Sequence, residues 1–165
     1  YINMMFYMDM MNNSMNMMEY IDMMELTQYI MDIMPLMDIM FFMNMMHNIM
    51  NWNIADAEVK AMRDLLKPDG LIGIEQHRAK ADAPYSYTDG SKGYMREADI
   101  IKFMEVNGFE LVAKSEINAN PKDSANWRDG VWTLPPALRL KDVDRAKYEA
   151  IGESDRMTLL FKKRN

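Results

Sequence analysis

Pro68 divides the stretch from Asp56 to Arg78 (DAEVKAMRDLLKPDGLIGIEQHR) into two kinds of structure. Before it, Ala57, Ala61 and Leu65, with Met62 and Leu66 beside them, recur at helical spacing and form one apolar face. Lys60, Arg63, Asp64 and Lys67 are left for water. Pro68 ends the helix because it has no N–H to donate and disfavours helical geometry at the residue before it. Asp69 and Gly70 then make a turn, and Leu71 to Ile74 form a short apolar run suited to a buried strand. Glu75, Gln76, His77 and Arg78 follow at its C-terminal end. A helix feeding a strand that ends in polar groups is an α/β unit, and open α/β sheets bind ligands at that rim.

The flanking sequence extends the pattern. Asp38 to Met43 (DIMFFM) suits a second buried strand, and Asn44 to Trp52 a loop or first helical turn. Asn53 is a candidate cap for the next helix. After Arg78 comes a loop, Ala79 to Lys92, whose length in a compact domain suggests function or motion. Glu97 to Asn107 reads as a helix with Ile100, Ile101, Phe103, Met104 and Val106 apolar, and Gly108 as its stop. Phe109 to Ile117 alternates as a strand does, and Arg156 to Phe161 reads as the last strand. Between them, Asn118 to Ala150 is a polar excursion holding Trp127 and Trp132, with a short helix over Asp142 to Tyr148. The two tryptophans either wall a substrate or form a small core that pins the excursion.

The run Leu66-Lys67-Pro68-Asp69-Gly70-Leu71-Ile72 resembles the turn before the fifth strand of class I S-adenosylmethionine (SAM) dependent methyltransferases. Together with Glu75-Gln76-His77-Arg78, Gly93-Tyr94 and Asn107-Gly108-Phe109 it is similar to a bacterial group of predicted methyltransferases. The resemblance spans roughly residues 38–165 and implies the C-terminal half of a Rossmann-like α/β methyltransferase sheet, strands four to seven. It also implies methyl transfer from SAM to a small molecule. Cofactor binding in that family depends on a glycine-rich turn after the first strand, where backbone must approach the ligand closely. No glycine precedes Gly70 here, and about 50 residues cannot hold three strand–helix units. The chain as given is therefore expected to be an incomplete or inactive methyltransferase. The alternative is a non-catalytic, methyltransferase-derived binding or assembly module.

Residues 1–50 explain part of that gap, because their composition is not that of an ordinary domain. They hold 18 of the 22 methionines and no Gly, Ala, Val, Lys or Arg. Residues 1–37 are read as a Met- and Asn-rich segment, helical or poorly ordered, preceding the α/β domain of residues 38–165. Met4, Met8, Met11, Met15 and Met18 recur at helical spacing, which favours a plain apolar helix packed on the sheet. Two other readings stand beside it: a frame-shifted or artificial sequence, and a methionine-rich surface for partners or copper(I). Self-association through this segment is the macromolecular contact its composition offers.

Six carboxylates and no base lie in residues 1–50, so the net charge of −6 belongs there, and the remainder balances. That surface gives no electrostatic reason to bind nucleic acid or an anionic membrane. With no cysteine and two histidines, thiolate chemistry and a histidine-based metal site are not expected. No export signal is readable, and dependence on SAM points to the cytoplasm.

Candidate site residues gather at the two strand ends. The resemblance places Asn44 and Met45 against SAM. His47 and His77 are the candidate bases, since an imidazole titrates near neutrality. Asn48, Glu75, Arg78, Tyr94 and Arg96 are the candidate substrate contacts. For His47 and Asn48 the plain alternative is a polar pair capping the next helix; for Glu75 to Arg78 it is an exposed strand end with an ion pair. Strand alternation puts Glu75 and His77 on one side, where the carboxylate would hold the imidazole in one tautomer, and Gln76 and Arg78 on the other. Arg96 at a helix start runs against the helix dipole, which raises its standing as an anion clamp.

Overall fold

The structure, a computed structural model, describes residues 37–164; the Met-rich segment lies outside the described residues. Strand β1 (Met37–Met43) leads into α1 (Met46–Asn51) and α2 (Ala55–Leu65), and α2 runs directly into β2 (Leu66–His77). Next come the single turn α3 (Tyr85–Thr88), α4 (Glu97–Val106) and β3 (Phe109–Ser115). A 3₁₀ turn (Gly130–Thr133), α5 (Arg145–Ile151) and β4 (Arg156–Lys163) complete the order. The sheet runs β1-β2-β4-β3, with β1 parallel to β2 and β4 antiparallel to both its neighbours.

The turn expected at residues 68–70 is absorbed into the strand. Met37 pairs with Leu66 and Ile39 with Leu71, so residues 67–70 bulge out between two paired positions. A proline is tolerated at such a bulge because no ladder hydrogen bond is asked of it. Helix α2 also turns a different face inward than its alanines suggested. Ala55, Val59 and Met62 are buried and Ala57 is exposed. Burying Val59 and Met62 removes far more apolar area from water than burying two alanines, so the larger side chains set the rotation. Asn53 is not the cap; Ile54 holds that position, and Asn53 takes a left-handed φ of 59° in the preceding turn. Gly108 does follow α4 with a φ of 84°, as a helix stop requires.

One face of the sheet forms the main core. Met40, Phe42, Ile72, Ile74, Met157, Leu159 and Phe161 alternate inward and are buried together with Ile100 and Met104 of α4. On the other face Ile39, Phe41 and Met43 are exposed, and Gly73 lies against the Phe41 ring, where a Cβ would come within 2.7 Å of it.

The excursion between β3 and β4 builds a second, smaller core. Tyr94, Ala79, Ala125 and Val131 are buried there, with Tyr87, Trp127 and Trp132 packed against them. This favours the pinning role for both tryptophans. Residues 79–92 are likewise tied down: Tyr87 Oη donates to Trp127 O (3.0 Å), Lys92 Nζ to Arg128 O (2.6 Å) and Lys80 Nζ to Asp123 O (3.0 Å). Gly130 closes the join. Its φ is 64°, and a Cβ there would stand 2.1 Å from Lys92 O. Gly130→Ala should therefore cost at least about 2 kcal/mol through backbone strain and this clash. The check is a lowered urea midpoint at unchanged slope.

Candidate functional site

The parallel strands β1 and β2 end side by side, and beyond each end the chain turns toward the other. Asn44 leaves β1 with a left-handed φ of 52°, its N–H donating to Glu75 O (2.7 Å). That sharp exit starts α1 and places His47 in its first turn, over the end of β2. His47 is buried, and its ring centroid lies 5.8 Å from that of His77 at the last residue of β2. Trp132 stands edge-on to His47 (6.2 Å) and Tyr94 edge-on to His77 (6.4 Å). The two candidate bases are thus neighbours, enclosed by aromatic rings from the 79–95 loop and the 3₁₀ turn.

Enclosure decides their charge. Loss of hydration on burial is the main cause that lowers the His47 pKa to about 4. His77 falls to about 3, through burial first and then through repulsion by His47 and by Arg156. Both rings are neutral at physiological pH. A neutral imidazole carries one lone pair and one N–H, and the partners of each ring decide which of the two is free for a substrate.

The partners differ from those expected. Glu75 does not hold His77: its carboxylate accepts from Arg156 Nη1 (3.0 Å) and Asn118 Nδ2 (3.3 Å). His77 Nδ1 instead lies 2.6 Å from Ser154 Oγ, on the loop entering β4. Gln76, buried in line with Ile72 and Ile74, reaches the other side. Its Nε2 donates to Gly93 O (2.8 Å) and stands 3.2 Å from His47 Nδ1.

Three candidate substrate contacts have their polar atoms engaged within the chain. Arg78 is the centre of an ion cluster. It meets Glu116 through Nη1 (3.0 Å) and Nη2 (2.7 Å), Asp155 through Nε (3.0 Å) and Nη2 (3.1 Å), and Glu97 at 3.3 Å. These carboxylates push its pKa upward, the Glu116 hydrogen bond foremost. Tyr94 is fully buried and gives its hydroxyl to Asp123 Oδ2 (2.7 Å). Its pKa is raised by burial, and further by the Asp123 charge. Arg96 occupies the cap position of α4, where Asp99 in the first turn neutralises it (2.7 Å), and its Nη1 donates to Ala83 O (3.3 Å). Asn48 is half-buried beside His47 on α1.

Asn44 and Met45, the candidate cofactor contacts, lie at the β1 exit. Met45 is buried, and Asn44 Oδ1 is buried without a hydrogen-bond partner among the described residues. A buried acceptor left unpaired is costly unless a ligand supplies the donor. Among the described residues no group of three or more His, Asp or Glu side chains could hold a metal ion, and no helix is long and apolar enough to cross a membrane.

No protein-family model and no curated protein sequence matches the chain. Solved structures do. The [4+2]-cyclase SpnF superposes with a TM-score of 0.53 at 16% identity, over 79% of this chain and 52% of the cyclase. A Haloferax volcanii protein in complex with the Trm112 methyltransferase activator gives 0.44 at 11% identity, over 79% of this chain and 55% of that one. The Burkholderia thailandensis 1,6-didemethyltoxoflavin N1-methyltransferase, with bound 1,6-didemethyltoxoflavin and S-adenosylhomocysteine, gives 0.39 at 11% identity, over 68% of this chain and 38% of that one. The chain spans about half the length of the cyclase. With the parallel β1–β2 pair joined through helices, the cyclase similarity gives a Rossmann-like α/β fold.

Proposed function

We propose that residues 38–165 are the C-terminal half of a SAM-dependent methyltransferase domain acting on a small molecule, with β1, β2, β3 and β4 as its strands four, five, six and seven. Two features of the sheet support the numbering. β1 and β2 are parallel and joined through α1 and α2, and the last two strands form the antiparallel pair that carries the long excursion. The observation that carries the function is the meeting of His47 and His77 at 5.8 Å, both kept neutral, at the ends of two parallel strands. Their enclosure under the 79–95 loop and the 3₁₀ turn suits a small acceptor.

SAM, when bound, supplies an electrophilic methyl carbon. Asn44 Oδ1 fits it as an acceptor for an amino group, and Met45 as an apolar wall. The chain's own contribution is to position the acceptor and to hold or take one proton.

Isothermal titration of the full chain with S-adenosylhomocysteine tests this reading. Micromolar binding, about −8 kcal/mol, would support it, because a cofactor site would then exist without the glycine-rich turn. Asn44→Gly keeps the left-handed φ and removes the acceptor, so it should weaken binding about tenfold. No heat and no thermal stabilisation at millimolar ligand would end the enzyme reading for this chain. A binding or assembly module derived from a methyltransferase would then stand in its place. The observation favouring that second reading is that Arg78, Tyr94 and Arg96 are all committed to partners within the chain.

A further inference from the structure

We infer that Gln76 is a positioning residue that locks the His47 imidazole with its proton on Nε2, leaving His77 as the ring whose lone pair is free to accept a hydrogen bond from a substrate. The division of labour rests on the methyl-transfer reading; the tautomer does not.

Gln76 is a polar residue in an apolar row, fully buried between the inward positions of β2. Every hydrogen-bonding atom of its amide therefore needs a partner. Nε2 lies 2.8 Å from Gly93 O, and a carbonyl only accepts, so the amide nitrogen must face it and the orientation of the amide is fixed. The second hydrogen of Nε2 has His47 Nδ1 at 3.2 Å. Oε1 receives the main-chain N–H of His47 at 3.4 Å.

His47 Nδ1 also lies 3.4 Å from Oε1, so a bond from Nδ1–H to that oxygen has to be weighed. It fails on the donor count. A proton on Nδ1 would face the second hydrogen of Nε2 across 3.2 Å, two donors opposed, and would strand that hydrogen in the interior. With Nδ1 as acceptor, both hydrogens of Nε2 and the oxygen are all paired. The ring is neutral, so its one proton is on Nε2. No hydrogen bond from the described residues reaches that atom, which leaves it to a ligand.

The consequence is chemical. His47 can donate through Nε2 to an acceptor oxygen or nitrogen, but it has no free lone pair with which to take a proton. His77 is different because its Nδ1 partner is a hydroxyl, and a hydroxyl both donates and accepts. Ser154 can serve either tautomer of His77. It can hold Nδ1–H while Nε2 accepts a hydrogen bond from a substrate, and that makes Ser154 the second positioning residue.

The test is a two-bond ¹H–¹⁵N correlation spectrum of the full chain labelled at histidine, at pH 7.5. The two rings are assigned with His77→Gln. The expected result is the pattern of an Nε2-protonated imidazole for His47. Gln76→Glu places a carboxylate where Nδ1–H can donate to it, so the pattern should invert. Gln76→Met, similar in size and lacking an amide, should give a mixture of tautomers. A role in packing alone would lower stability in both variants and leave the nitrogen pattern unmoved. Nδ1–H in the wild-type chain overturns the inference outright, as does an unchanged pattern in a folded Gln76→Met. If Gln76→Glu does not fold, the wild-type and Gln76→Met spectra still decide. A chain that shows the inferred tautomer yet gives no heat with S-adenosylhomocysteine would lose the methyl-transfer reading alone.

Discussion

Asp123→Asn is expected to destabilise the chain by about 2–4 kcal/mol, through one buried donor left unpaired and the loss of the charge on which four donors converge. Asp123 is fully buried in the excursion, and four donors converge on its carboxylate. Tyr94 Oη (2.7 Å) and Asp155 N (2.8 Å) reach Oδ2; Ala125 N (2.8 Å) and Trp127 Nε1 (2.8 Å) reach Oδ1. An asparagine has one acceptor oxygen, and its better orientation keeps that oxygen toward Ala125 N and Trp127 Nε1. The NH₂ group then faces Tyr94 Oη, which can turn to accept from it, and the Asp155 N–H, a buried donor left without a partner and repelled as well. The effect should reach beyond the excursion. Asp155, held through its N–H, also accepts from Arg78 and from Asn120 N (2.8 Å), and it adjoins Ser154, the partner of His77. Urea unfolding should show the lowered midpoint, and loss of near-ultraviolet dichroism from Trp127 and Trp132 should accompany it. Tyr94→Phe is the milder companion, removing one donor and costing about 1–2 kcal/mol. An Asp123→Asn chain as stable as wild type would mean that the excursion is held by its aromatic packing alone.

This polar network shows where local sequence stops being informative. The β1 and β2 strands, α4 and the antiparallel pair follow from apolar periodicity and glycine or proline stops, all of which act over a few residues. His47 and His77 at strand ends were visible for the same reason, since a strand end is a local feature. The partners were not. Asp123 and Tyr94 are 29 residues apart, and His77 and Ser154 are 77 apart. Nothing in either neighbourhood marks the pairing, which is created when β4 inserts between β2 and β3. Arg78 and Tyr94 had the right residue types for ligand contacts, but periodicity does not record whether a carboxylate from elsewhere reaches them first. Gln76 did carry a signal, being a lone polar side chain in register with Ile72 and Ile74 on the inward face of a strand. Such a residue must be satisfied in the interior, so alternation alone marks it as structurally committed. The helix face of α2 was misplaced because spacing fits two registers, and side-chain volume chose between them.

The imidazoles of buried His47 and half-buried His77 make stability depend on pH in a window where carboxylates contribute little. Their folded pKa values, about 4 for His47 and about 3 for His77, lie below the ordinary 6.5. Above pH 6.5 both states leave the rings neutral and nothing is lost. As pH falls below 6.5 the unfolded chain binds protons that the folded chain refuses, so stability declines until the folded values are reached. At pH 5 the deficit is about 1.5 pH units per ring, or roughly 2 kcal/mol each and about 4 kcal/mol for the pair. That is a large share of the roughly 5–15 kcal/mol by which folded domains are stable. The measurement is urea unfolding at pH 7.0 and 5.0 for the wild type and for a double variant, His47→Gln with His77→Gln. The variant should begin less stable at pH 7.0, because the Gln76 and Ser154 contacts change, yet fall by much less on acidification. The comparison between slopes is the decisive one, since it is insensitive to the starting stability of the variant. Equal slopes would place the rings in contact with water in the folded chain and remove the enclosure on which the site reading depends.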